Sequence, residues 1–166
     1  MNTKRVISVC GGHKDTKFSA EAYELGKGIA LRGYVLITGG GGGVMESASR
    51  GAAENGGLVI GVLPSERKNP LGGYPNPYVS IPVYTGMSDA RNAIIAKSPD
   101  VLVALGGGAG TLSEIGLAVK SGTPVIIIGD SEFRLPEDMG CIWAGSAACA
   151  LREIERILSA DKGPVF

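Results

Sequence analysis

Hydrophobic residues along this chain fall into short unbroken runs, separated by stretches in which they recur every three or four positions. Residues 5–10, 34–37, 58–63, 79–84, 101–105 and 125–128 are runs too short for helices and rich in Val and Ile, which predicts six strands. Phe18, Ala22, Leu25 and Ile29 stand at helical spacing and predict a helix ending near Gly33. Residues 44–55 predict a second helix, whose small face of Ala48, Ala52 and the neighbouring Gly51 suits close packing on a sheet, with Gly56-Gly57 stopping it. Ser88 or Asp89 is placed to cap a third helix running to Lys97. Residues 111–120 predict a fourth, and Ala147, Leu151, Ile154 and Leu158 mark a terminal one. Residues 64–77 hold four of the nine prolines and read as a loop or lid, and 129–145 carry no period.

Strands and helices alternating at this spacing form parallel βαβ units with right-handed crossovers. Strands that are apolar throughout belong in a sheet covered on both sides. The expected fold is α/β: a Rossmann-like, doubly wound parallel sheet with helices on both faces, formed by residues 1–166 as one domain. In such sheets ligands bind beyond the carboxyl ends of the strands.

Two glycine-rich turns fall at such ends. The first is the run Gly39 to Gly43, in the context VLITGGGGGVMES; the second is Gly106-Gly107-Gly108-Ala109-Gly110-Thr111, after the strand at 101–105. Glycine leaves the backbone bare, and a helix starting there presents peptide N–H groups and a positive dipole end to an anion. The pair of turns therefore predicts one site for a phosphorylated small molecule. Neither turn is a dinucleotide fingerprint or a Walker A loop: the first strand runs into Cys10-Gly11-Gly12-His13, and no Gly-Lys-Ser/Thr follows the glycines.

Composition narrows the function. Sixteen Lys and Arg balance sixteen Asp and Glu, which argues against a broad nucleic-acid footprint or a polybasic membrane patch. The first residues run straight into a strand, with no signal-peptide core and no apolar stretch long enough to cross a bilayer. Cys10, Cys141 and Cys149 are scattered without a CxxC, so they read as small apolar residues of a cytoplasmic protein. His13 is the lone histidine and lacks a cysteine cluster, so no metal site is expected.

The stretch GGGAGTLSEIGLA at 106–118, the run GGGGGVME at 39–46 and Arg91 ahead of the fifth strand together resemble the LOG-like superfamily. That group includes the LONELY GUY nucleotide phosphoribohydrolases, proteins labelled "possible lysine decarboxylase" and the molybdenum cofactor carrier proteins. Gly107, Gly108, Gly110, Thr111 and Glu114 match the core of the hydrolase pattern PGGxGTxxE, and Arg91 takes the place of the arginine in MHxRK. Gly106 stands where the hydrolases have Pro, Asn92 where they have Lys, and Ser113 where they often have a second acid. These departures look closer to the carrier branch.

The resemblance implies two functions. One is a binding protein for a nucleotide or a molybdenum cofactor, with no cofactor required for folding. The other is a nucleoside 5′-monophosphate phosphoribohydrolase that uses Arg91 and Glu114 to release free base and ribose 5-phosphate. Glu114 would activate water or stabilise a ribosyl cation, and Glu46 is a weaker second acid. Arg91 has the planar fork for a phosphate, against the plainer alternative of a surface ion pair with Asp89 or Glu46. Thr111 would add a hydroxyl donor. Gly11, Gly12, His13, Gly40, Gly41, Gly42, Gly43, Met45, Asn92 and Ala109 complete the expected binding set, with Lys14 and Lys17 nearby. A lysine decarboxylase has no support, since no lysine sits in a recognisable cofactor motif. The resemblance also implies a homodimer or larger homo-oligomer.

Overall fold

The computed structural model describes residues 3–160; of the expected 1–166 domain, residues 1–2 and 161–166 lie outside the described residues. The strands are β1 (Val6–Gly11), β2 (Val35–Thr38), β3 (Val59–Leu63), β4 (Ile81–Tyr84), β5 (Val101–Leu105), β6 (Val125–Ile128) and β7 (Ile142–Ala144). They form one sheet in the order β4-β3-β2-β1-β5-β6-β7, with each adjacent pair parallel. The helices are α1 (Ser19–Leu31), α2 (Val44–Glu54), α3 (Asn92–Lys97), α4 (Ala109–Ser121) and α5 (Ala147–Ala160). This is the Rossmann-like α/β fold expected from the alternation.

Both faces of the sheet are buried, which is why the strands read as unbroken apolar runs. Ile7, Val9, Leu36, Val103, Leu105 and Ile126 pack against α1, α2 and α5 through Leu25, Ile29, Ala48, Leu151 and Ile154. On the other face Cys10, Leu102, Ala104 and Ile127 pack against Ile115 and Ala118 of α4, while Ile37 and Val62 meet Ile95 of α3. Burying each such Ile, Leu or Val contributes about 1.5–3 kcal/mol, so this two-sided core supplies most of the driving force.

Three local expectations are corrected and a fourth is extended. The patternless stretch 129–145 contains β7, a three-residue strand pairing Ile142 with Ile126 at the sheet's end. Residues 88–97 are two pieces, a 3-10 turn at Ser88–Arg91 and then α3, and neither Ser88 nor Asp89 caps them; Met87 stands at the cap and makes no side-chain bond. α4 starts at Ala109 rather than Thr111. The small face of α2 serves α1 as well as the sheet: a Cβ on Gly51 would strike Tyr23 O, and one on Gly26 would strike Ala48 O, so these glycines let the two helix backbones touch.

The chain order places the functional region. From β1 the strands step one way to β4, and then the chain returns to the other side of β1 as β5. The crevice between the carboxyl ends of β1 and β5 is thus the point where the winding reverses, the usual ligand position in open parallel sheets.

Candidate functional site

β5 delivers the second glycine turn to that crevice. Gly106 and Gly107 have φ of +53° and +90°, the left-handed region where a side chain is strained. Gly108 is the N-cap of α4 and no side chain caps the helix. The first intrahelical donor is Leu112, bonded to Gly108 O at 2.9 Å. The N–H groups of Ala109, Gly110 and Thr111 precede it and have no acceptor inside α4. They lie on a cleft of about 270 Å³. With the helix dipole behind them, they make an end with the electrostatics that suit an anion.

The cleft gathers Gly11, Gly12 and His13 from the end of β1, Met45 from α2, Arg91 and Asn92 from the 3-10 turn and α3, and Gly108, Ala109, Gly110, Thr111 and Glu114 from α4. Eleven of the expected residues are therefore neighbours. Thr111 is buried, with its side chain packed under Gly107 where any Cβ would strike its Oγ1.

Arg91 is no surface ion-pair partner. It is 92% buried, counting 8% exposure, and its Nη1 donates to Gly39 O and Val62 O, both at 2.6 Å. One nitrogen of the fork thus braces the ends of β2 and β3, while the buried Nε has no partner. Burial without a bonded carboxylate leaves a cation beside the cleft that Arg91 lines.

Glu114 lies beyond the first turn of α4, so its place reflects burial rather than the helix dipole. Desolvation pushes its carboxyl from the usual 4.5 to about 7, against smaller lowering effects of a hydrogen bond from Cys10 and the charge of Arg91. Cys10, read as a small apolar residue, is buried as expected but also hydrogen-bonds Glu114; burial above all raises its thiol well above the usual range. Asn92 donates from Nδ2 to Ser113 Oγ at 2.9 Å, joining α3 to α4.

The first glycine run does not reach the cleft. Gly40 N–H is taken by Thr38 Oγ1 at 3.0 Å, Gly42 N–H by His13 Nδ1 at 3.2 Å, and Val44 N–H by Gly12 O at 3.2 Å. Gly40 and Gly43 have φ of +73° and +61°. A Cβ on Gly41 would meet the Tyr74 ring at 2.7 Å, and one on Gly42 would meet His13 O at 3.1 Å. Asn76 clamps the run from above, donating its N–H to Gly40 O and its Nδ2 to Gly41 O at 2.8 and 2.9 Å. Gly40 and Gly41 are thus covered by the protein itself, and Gly42 is half-buried. Gly43 and Glu46 face a separate depression of about 320 Å³ beside Arg50 and Tyr78. Gly107 borders a wider trough of about 710 Å³, lined also by Lys14, Lys17 and Glu132, which meets the cleft at Gly12, His13 and Gly108.

Sequence reasoning passed over Tyr74 and read Asp89 only as a helix cap or an ion-pair partner; both line the cleft. Tyr74 stacks on His13 with centroids 5.6 Å apart and planes 3° from parallel, and Arg91 Cζ lies 5.7 Å from its centroid. Its signal was an aromatic inside the Pro- and Gly-rich loop. Among the described residues, no group of three or more His, Cys, Asp or Glu is arranged to hold a metal ion, and no helix is long and apolar enough to cross a membrane.

The sequence profile of the SLOG cluster4 family matches residues 4–148. The chain belongs to that family. The resemblance to the LOG-like and molybdenum cofactor carrier superfamily therefore holds. The chain is similar to the molybdenum cofactor binding protein of the phototrophic bacterium Rippkaea orientalis, with a TM-score of 0.85 and 38% identity over 95% of this chain and 99% of that one. It is also similar to the molybdenum cofactor carrier protein of Chlamydomonas reinhardtii, with a TM-score of 0.79 and 37% identity over the same shares. A cytokinin riboside 5′-monophosphate phosphoribohydrolase, LOG of Oryza sativa subsp. japonica, is 36% identical over 68% of this chain. The matched segment spans 47% of that rice protein's length.

Proposed function

We propose that this protein binds a phosphorylated small molecule, a molybdopterin-type cofactor or a nucleotide, as a carrier rather than a catalyst. The observation that carries the reading is the uncapped start of α4 sharing one cleft with the buried cation of Arg91. Those groups fit the phosphate end of such a molecule. A molybdenum cofactor brings its own metal and redox chemistry; the chain's residues supply binding and orientation. Arg91 and the amides of Ala109, Gly110 and Thr111 hold the phosphate, and the trough beyond Gly12 and Gly108 leaves room for the organic part. The likeness over nearly the full chain to two molybdenum cofactor proteins supports the cofactor as ligand.

A second reading rests on Glu114. A carboxyl held near 7 in a cleft that also contains Asp89 suits acid–base work at an N-glycosidic bond. The two are separated by one pair of assays. The purified protein is mixed with free molybdenum cofactor, gel-filtered, and examined for oxidised-pterin fluorescence in the protein peak. In parallel it is incubated with nucleoside 5′-monophosphates and free base is quantified. Co-elution that is lost in Arg91→Ala, without base release, is the expected result. Base release that vanishes in Glu114→Gln would replace the carrier with a phosphoribohydrolase.

A further inference from the structure

The segment after β6 brings a carboxylate to the second glycine turn. Strand order puts β5 between β1 and β6, so the trough beside the cleft is walled by the chain after β1, residues 12–18, and by the chain after β6, residues 130–132. The second wall is held in place. Glu132 N–H donates to Gly107 O at 3.1 Å, Ser131 Oγ donates to Phe133 O at 2.8 Å, and Phe133 and Leu135 pack against the core under α4. Gly129, with φ of +73°, starts the segment against the ring of Phe18, which a Cβ would strike.

This backbone sets the Glu132 carboxylate against the turn. Its Oε2 stands 2.7 Å from where a Cβ on Gly108 would be, so it occupies space that a capping side chain at Gly108, the N-cap of α4, would claim. Apart from the flanking residues, no other group lies within 4 Å of that point. Gly108 is also where the trough meets the cleft. The Glu132 side chain is exposed and makes no hydrogen bond or ion pair among the described residues. The other charged groups stand elsewhere. Lys14, Asp15, Lys17 and Asp130 line the trough, and Asp89, Arg91 and Glu114 line the cleft. Asp15 Oδ1 accepts from Lys17 N–H at 2.8 Å, and Asp89 shares a 3-10 turn with Arg91.

We propose that Glu132 is an electrostatic gate at the neck between the trough and the cleft. Its charge lies beside the positive end of α4, where the helix dipole favours an anion. A phosphate group entering the cleft meets that like charge and displaces it. Displacement needs only rotation about the bonds of an exposed side chain, because the backbone stays anchored to Gly107. The gate raises the threshold for small free anions at this end of the helix. The inference rests on the anion site proposed above.

The test is calorimetric titration of the purified protein with inorganic phosphate at low ionic strength. Glu132→Gln keeps the size of the side chain and the backbone anchor, and is expected to bind phosphate about tenfold more tightly than wild type, the effect of removing one like charge at close range. Glu132→Asp, which draws the charge back by one methylene, is expected to fall between the two. Glu137→Gln removes an equal charge from the exposed 3-10 turn further along the same segment, and is expected to change affinity by less than about twofold. Binding by Glu132→Gln at concentrations where wild type shows none would be the strongest form of the expected result. Affinity unchanged or weakened in Glu132→Gln, or raised equally by Glu137→Gln, would overturn the gate; a weakening would make the carboxylate a partner of the ligand instead of its competitor. If neither wild type nor Glu132→Gln binds phosphate, or if adding Arg91→Ala to Glu132→Gln leaves binding as tight, the anion site itself fails and the inference falls with it.

Discussion

The two glycine turns look alike in sequence and serve opposite ends in the structure. The run at 39–43 is braced from within: the N–H groups of Gly40 and Gly42 meet Thr38 and His13, Tyr74 lies on Gly41, and Asn76 holds two of its carbonyls. The turn at 106–110 packs inward at Gly106 and Gly107, against Phe18 and Thr111, and opens only where α4 begins, with three helix amides on a cleft. The difference follows from strand order. β2, which carries the first run, lies inside one half of the sheet, whereas β5 meets β1 at the point where the winding reverses. Glycine richness alone does not separate a phosphate cradle from a site of close internal packing; what decides is whether the chain has already used the space and the hydrogen bonds.

That contrast breaks most sharply at Gly43. Its φ of +61° and the approach of Gly12 O and His13 O leave no room for a methyl group. Gly43→Ala is expected to cost about 3 kcal/mol or more of stability, from combined strain and overpacking. Denaturant unfolding measures it; a loss below about 1 kcal/mol would show the run to be as free as the second turn.

Glu114 gives an effect of similar size that depends on pH. Its carboxyl binds a proton more tightly folded, at about 7, than unfolded, at 4.5. Below pH 4.5 both states hold the proton and the contribution is whole. Between 4.5 and 7 the unfolded chain ionises while the native state does not, so stability falls as pH rises by about 3 kcal/mol and then levels. Unfolding curves from pH 4 to 8 on wild type and Glu114→Gln should show that descent in the first and its loss in the second. Equal slopes would mean the carboxyl is not buried as described.

Arg91→Ala is expected to cost about 2 kcal/mol, because Gly39 O and Val62 O lose their donor, and to weaken phosphate binding as well. It sharpens the comparison, since this residue braces the first run while facing the cleft beside the second. A variant that loses stability but keeps phosphate affinity would confine Arg91 to the brace.

The smallest effect on stability is expected at Gly110. No atom lies within 4 Å of where its Cβ would stand, and it sits in the first turn of α4. Gly110→Ala should stabilise by about 0.5–1 kcal/mol through helix propensity. The same methyl group projects at the anion end, so phosphate affinity should drop about tenfold, equivalent to about 1.4 kcal/mol. Unchanged affinity would move the ligand away from this turn.

Much of this was legible in the sequence. The alternation of apolar runs and helical spacing gave the fold because both sheet faces are buried, a pattern that needs no long-range information. Arg91 and Glu114 were picked out by the resemblance to the hydrolase pattern, and the turn at 106–111 by its glycines after a strand; the structure places all three on one cleft. The fate of the first run was not, because it depends on Tyr74 and Asn76 folding back from more than thirty residues away. β7 was missed because three residues at a sheet edge, with Trp143 exposed, carry neither alternation nor a full apolar run. The burial of Arg91 was hidden because a charged residue reads as surface until the carbonyls that hold it are known.

The difference between the two turns is tested most directly by residue-resolved amide spectra during titration with inorganic phosphate. The expected result is saturable shifts at Gly108, Ala109, Gly110 and Thr111 with Gly40, Gly41 and Gly42 unmoved. Shifts centred on the 40–42 amides, or none at the start of α4, would contradict the assignment of the anion site to the second turn.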